Sequence, residues 1–206
     1  MDANTTGASN VSVGQNSLGA NTTASGNNAL GVNALLNNTT GANNTGMGYA
    51  ALQANTTGAN NTMVGYQSGL SLTTNGDSTF IGTQAGYNTT GNRNQFFGYA
   101  AGNQVTSGAN NTIVGGFDGN ENGLDMRTGS NQIALSDGDG NVRLFINSSA
   151  AHFITNEQDY TNANNAILCL NHANVTRGMN IHTTGTSISD RITFQNDAGT
   201  VGGIST

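Results

Sequence analysis

Hydrophobic positions along the first two-thirds of the chain are sparse and evenly spaced. An apolar residue is followed at once by glycine at Val13-Gly14, Leu30-Gly31, Met47-Gly48, Val64-Gly65, Ile81-Gly82, Phe97-Gly98 and Val114-Gly115. The anchor glycines thus fall 17, 17, 17, 17, 16 and 17 residues apart. Seven residues before most of them stands another glycine (Gly7, Gly41, Gly58, Gly91, Gly108). Between the two runs a polar stretch such as Ala42-Asn43-Asn44-Thr45 or Ala59-Asn60-Asn61-Thr62. Eight residues after each of the first six anchors comes threonine: Thr22, Thr39, Thr56, Thr73, Thr90 and Thr106. A degenerate eighth copy, Gly129 to Ser136, follows after four extra residues.

This period is too short for two helices and a turn, and Gly and Asn oppose helix in every copy. It suits one coil of a β-solenoid, with two short strands and two turns. The Asn-Asn pair tolerates left-handed backbone at the first turn, and Asn-Thr-Thr-Gly supplies the second. A strand is expected from about Thr45 to Ala51 and at equivalent places. The residue before each anchor is expected to point inward, building a Val-Leu-Met-Val-Ile-Phe-Val-Leu ladder one side chain wide. The residue before that points to the opposite face, and it too becomes apolar at Met63, Phe80, Phe96 and Ile113. A strand apolar on both faces is buried on both. One face closes the coil and the other needs a partner, so three copies are expected to share a core. Eight coils at ~4.8 Å each give a rod of about 40 Å.

Composition sharpens this picture. The 206 residues include 34 Asn and 30 Gly but no Pro, Trp or Lys, and only 8% are charged. Such a chain has too few large side chains for a wide core of its own, and its regular repeat argues against disorder. Five Arg and a net charge of −6 leave no basic stripe, which argues against nucleic-acid binding. No long apolar run suggests membrane insertion, and no leader is visible. Cys169 is the only cysteine, so no internal disulfide exists.

The period stops after Ser136. Asp137-Gly-Asp-Gly-Asn141 separates two alternating runs, Gln132 to Ser136 and Val142 to Ile146, and reads as a hairpin turn. Further short strands are expected at 166–170, 178–182, 190–195 and 200–206, again too poor in apolar residues to form separate cores. The expected organisation is a β-roll over 1–136 and a C-terminal trimerisation or tip region over 137–206. The fold class is all-β: a trimeric parallel β-roll (β-solenoid) of about eight coils, then an intertwined β-prism or triple-β-helix-like region.

Coils of the type Gly-Ala-Asn-Asn-Thr-Met-Val-Gly-Tyr-Gln-Ser (58–68) resemble the heads of trimeric autotransporter adhesins, which are left-handed parallel β-rolls assembled as trimers. The coil here is slightly longer, which implies a looser second turn. Very similar Thr-Gly-Ala-Asn-Asn-Thr coils occur in bacteriophage tail fibres, and the likeness covers residues 1–136. The ending 191–206 resembles the segment preceding the self-cleaving intramolecular chaperone of tail fibres and tailspikes. Together these likenesses imply the distal part of a tail fibre on the virion, extracellular and without cofactor. Its partners would be its own homotrimer, other virion tail proteins and a host receptor, either a surface polysaccharide or an outer-membrane component. The alternative they imply is the head of a bacterial trimeric autotransporter adhesin.

Candidate chemistry is thin. Only Asp2 and Asp77 carry carboxylates within residues 1–115, and no His lies there. A glycosidase needs a carboxylate pair on a groove wall, so no enzyme is expected. Asp118, Glu121, Asn122 and Asp125 occupy a longer loop that breaks the repeat, where binding functions are usually carried, and with Tyr87 they are the candidate receptor contacts. Gly14, Gly31, Gly48, Gly65, Gly82, Gly98 and Gly115 are structural anchors. Asp137, Asp139 and Asn141 imitate the start of a calcium loop, but its sixth and twelfth positions hold Val142 and Ser148, so no metal is expected. His152, His172 and His182 lack metal-pair spacing, and Cys169 reads as a small core residue. Tyr49, Tyr66 and Tyr99 are expected to lid the core rather than to stack sugars. The paired threonines point to opposite faces, leaving one ladder at most for an ice-binding array.

Overall fold

The computed structural model describes residues 3–148 throughout, and beyond them the backbone of four strands within 152–204. It is all-β. Seven three-residue strands repeat along the chain: β1 (Val11–Val13), β2 (Asn28–Leu30), β3 (Thr45–Met47), β4 (Thr62–Val64), β5 (Thr79–Ile81), β6 (Gln95–Phe97) and β7 (Thr112–Val114). Each pairs in parallel with the next, with Val11 opposite Asn28 and Thr45 opposite Thr62. After a small hairpin, β8 (Asn120–Glu121) and β9 (Leu124–Asp125), strand β10 (Ile133–Ser136) adds in parallel to β7. Strand β11 (Val142–Ile146) then folds back antiparallel on β10, as the Asp-Gly-Asp-Gly-Asn turn suggested. Strands β12 (His152–Thr155) and β13 (Ala166–Leu170) extend the same sheet antiparallel, while β14 (Ile192–Asn196) and β15 (Gly199–Ile204) pair separately. The expected strand at 178–182 lies outside the described residues, as do His172 and His182.

Each coil holds one strand, not two, and the strand ends at the residue before the anchor glycine rather than near Ala51. The anchors cause this. Gly31, Gly48 and Gly82 have φ of +142°, +135° and +142°, and a Cβ on any of them would lie within 2.4 Å of the carbonyl oxygen of the next anchor. Strand geometry cannot continue through such a residue, so the rest of the coil is turn. Two residues later the chain enters the left-handed region at Asn16, Asn33, Ala50, Gln67, Gln84 and Ala100, and it does so again in the Asn-Asn stretch at Asn43, Asn60 and Asn110.

The two faces of the strand are exchanged relative to expectation. The middle residues Ala29, Met63, Phe80, Phe96, Ile113 and Ala134 are fully buried. The ladder before the anchors faces outward: Val13, Leu30, Met47, Ile81, Val114 and Leu135 are exposed, with Val64 and Phe97 half-buried. The reason is across the coil. Four residues after each anchor stands a second inward position, occupied by Leu18, Leu35 and Leu52 in the early coils and by Gly69, Gly86 and Gly102 in the later ones. The leucines are fully buried, with Leu35 packed over Gly46; the glycines face Met63, Phe80 and Phe96. A Cβ on Gly86 would lie 2.4 Å from the Phe80 ring and one on Gly102 2.5 Å from Phe96. Large and small alternate between these columns so that each coil holds one bulky group. Phe80 and Phe96 stack with ring centroids 4.8 Å apart.

Side-chain amides complete the interior. Asn27 Nδ2 donates to Gly41 O, Asn44 Nδ2 to Gly58 O, and Asn44 Oδ1 accepts the Asn61 backbone N–H at 3.0 Å. Asn44 and its equivalents are therefore ladder residues inside the coil, while only the first Asn of each pair makes the left-handed turn. This column satisfies backbone groups that a coil with one short strand leaves unpaired. A second column runs Asn4, Asn21, Asn38, Asn55, each amide donating to the carbonyl oxygen of the one before (2.9, 3.1 and 2.8 Å).

Candidate interaction surface

The outward face of the parallel sheet is the most prominent functional feature. Because parallel pairing stacks like positions, the outward strand residues form unbroken columns along the solenoid axis. Val13, Leu30, Met47, Val64, Ile81, Phe97, Val114 and Leu135 make one column, with Ile81 still 42% exposed. Beside it run Val32, Tyr49, Tyr66 and Tyr99. Tyr49 and Tyr66 stack at 5.4 Å with an interplanar angle of 15°, and Tyr99 is 69% exposed. These tyrosines lie outside the core and do not lid it, because the residue after each anchor follows the outward ladder. On the other flank are Thr45, Thr62, Thr79 and Thr112. The result is a flat apolar stripe, about 35 Å long for eight strands at ~4.8 Å. Contiguous exposed apolar patches of this kind mark interaction surfaces.

The loop that breaks the repeat forms the β8–β9 hairpin, turning through Asn122 (φ +53°) and Gly123. Asp118, Glu121, Asn122 and Asp125 lie on this excursion, and the carboxylates of Asp118 and Asp125 are engaged within the protein. Asp118 accepts from Gln104 Nε2 and from the Asn120 backbone N–H. Asp125 is in a bidentate pair with Arg127, Nη2 to Oδ2 at 2.7 Å, and this guanidinium holds its carboxyl below the usual range. Glu121 lies against the turn after β10: a Cβ on Gly140 would be 2.5 Å from its carboxylate oxygen. These contacts seat the hairpin on the end of the solenoid, and Asn122 is left at its tip.

Tyr87 is elsewhere. It continues the column Leu36, Gln53, Leu70, whose backbone pairs coil to coil through Ala54 N–H to Leu70 O and Ser71 N–H to Tyr87 O. Next to it opens a shallow groove of about 290 Å³ lined by Asn37, Gln53, Ala54, Leu70 and Ser71. All five are uncharged.

In the turn after β10, Asp137 Oδ1 accepts the backbone N–H groups of Asp139 and Asn141, and Oδ2 accepts from Arg143 Nη2 at 2.6 Å. The Arg143 guanidinium lowers the Asp137 pKa. Both oxygens thus serve the hairpin turn. The repeated threonine hydroxyls are likewise used internally: Thr22 donates to Thr39 O, Thr39 to Thr56 O and Thr56 to Thr73 O. Among the described residues no three His, Cys, Asp or Glu side chains gather as a metal site, and no helix is long and apolar enough to cross a membrane.

Sequence reasoning found the excursion at 116–128 as a loop, without its hairpin, and missed the stripe as a surface, having placed it inside. The signal was present in the inverse size pattern of the middle strand residue and the residue four after the anchor. Comparison with known proteins adds no assignment: no family model, curated protein or solved structure matches the chain.

Proposed function

We propose that the chain is a non-enzymatic structural and attachment protein, the distal part of a bacteriophage tail fibre, working as a homotrimer at the host surface. The observation that carries this reading is the unbroken apolar stripe from Val13 to Leu135 along an otherwise polar solenoid. A stripe continuous over eight strands fits partners that repeat with the same pitch, and further copies of the chain have that pitch. Three stripes meeting along one axis would bury each other and leave the β8–β9 hairpin and the groove at Gln53 and Leu70 outside. The likeness of the coils and of the C-terminal segment to tail-fibre sequences supplies the biological setting. Attachment would rest on multivalency: weak contacts on each of three chains combine into high avidity without a deep pocket.

The test is the molar mass of the purified chain by light scattering, followed by competition with phage for adsorption to host cells. The reading expects a mass near three times 20.9 kDa and a concentration-dependent block of adsorption. A folded monomer would remove the trimer. A trimer that binds cells but never competes with a phage would favour the adhesin-head alternative.

A further inference from the structure

The interior changes character part-way along the solenoid, and several columns change within two coils. The column opened by Asn4, Asn21, Asn38 and Asn55 continues as Leu72, Thr89 and Val105. The middle strand residue passes from Ser12, Ala29 and Gly46 to Met63, Phe80, Phe96 and Ile113. The residue four after the anchor passes from Leu18, Leu35 and Leu52 to Gly69, Gly86 and Gly102. Early coils are therefore closed by a hydrogen-bonded amide column and a leucine column. Later coils are closed by large side chains rising from the strand, with Leu72, Val105 and Met126 replacing the amides.

The two packings do not fit each other at the join. Asn55 donates to Asn38 Oδ1 and to Gly58 O, but its own Oδ1 is buried with no donor, since the next residue in the column is Leu72. A buried acceptor without a partner is a local cost. What runs across the join is the backbone pairing of β3 with β4, the other amide column through Asn61 N–H to Asn44 Oδ1 at 3.0 Å, the Thr56 hydroxyl to Thr73 O, and the Tyr49–Tyr66 stack.

We propose that the solenoid consists of two cooperative units, one ending near Leu52 and the other running from Met63 onward, and that the rod yields first at the join between them. Solenoid stability is close to a sum of coil terms and neighbour terms, so one weak neighbour term divides the array. The early unit has the smaller apolar core and opens more readily.

Hydrogen exchange of the full chain, read by mass spectrometry, tests this. Amides of β1–β3 should exchange as one group, about tenfold or more faster than those of β5–β7, with a step rather than a slope between them. Strand β4 should move with the later group in the native sequence. In the triple variant M63A/G69L/L72N, which gives its coil the early packing and Asn55 Oδ1 a donor, β4 should move with β1–β3. A smooth gradient from Val11 inward, or one common rate for β1–β7, would overturn the proposal. So would a β4 whose allegiance is the same in both proteins. If the variant does not fold, the native profile alone decides between step and slope.

Discussion

The exchange of bulk between Met63 and Gly69 permits a quantitative test of how the core is built. A Cβ on Gly69 would lie 2.7 Å from Met63 Cγ and 3.0 Å from its Cε, with the Phe80 ring at 3.3 Å. Gly69 also has φ of +62°, although Leu18, Leu35 and Leu52 hold the same place at +48°, +52° and +54°. Left-handed backbone costs an L-residue about 1–2 kcal/mol and overpacking about 1–3, so Gly69→Leu should destabilise by about 3 kcal/mol. Met63→Ala leaves a cavity and should cost about 3 kcal/mol as well. In the double variant the leucine fills the space the methionine left, as Leu35 fills the space over Gly46. The expected loss is then about 3 kcal/mol below the sum of the single losses, less whatever the Phe80 contact takes back. Urea unfolding followed by circular dichroism, at one chain concentration, measures all four proteins. Additivity to within about 0.5 kcal/mol would refute the reciprocal packing and with it the inward assignment of these columns.

Other expectations follow from the same geometry. Ile81→Asp places a charge in the middle of the exposed ladder, away from the coil interior; the chain should keep its β spectrum, and the homotrimer proposed above should give way to monomer by light scattering. Asn44→Leu removes the acceptor for Asn61 N–H and the donor to Gly58 O. Two buried backbone groups lose partners, and stability should fall by about 3 kcal/mol in the same urea assay, more than a surface Asn such as Asn43 would cost. Asp125 and Asp137 both have pKa values lowered in the folded state, by Arg127 and Arg143 respectively. Their contribution is fully present above the unfolded carboxylate value of about 3.9 and disappears as pH falls through the depressed folded value. The melting temperature should therefore be flat from neutral pH to about 5 and decline slightly below about 4, slightly because both pairs are solvent-exposed.

The sequence by itself determined the coil. A glycine that must adopt positive φ under a neighbouring carbonyl, and an Asn that must turn left-handed, are local requirements, so their spacing revealed the period, the parallel stacking and the end of the repeat at Ser136. The turn at 137–141 was legible for the same reason, as was the excursion at 116–128, since an interrupted period needs no structure to be seen. Which face of the strand is inside was not local. Alternation says that Met63 and Val64 point to opposite sides, but it does not say which side the chain closes over. That was decided by Gly69 and its equivalents across the coil, whose smallness is meaningful only against the residue each one faces. The burial of Asn44 was hidden likewise: an amide reads as surface until backbone groups left over by three-residue strands are found to need it. Tyr49, Tyr66 and Tyr99 followed the ladder outward once that choice was made. The tertiary structure alone decided what is core and what is stripe, because both are apolar and only closure of the coil distinguishes them.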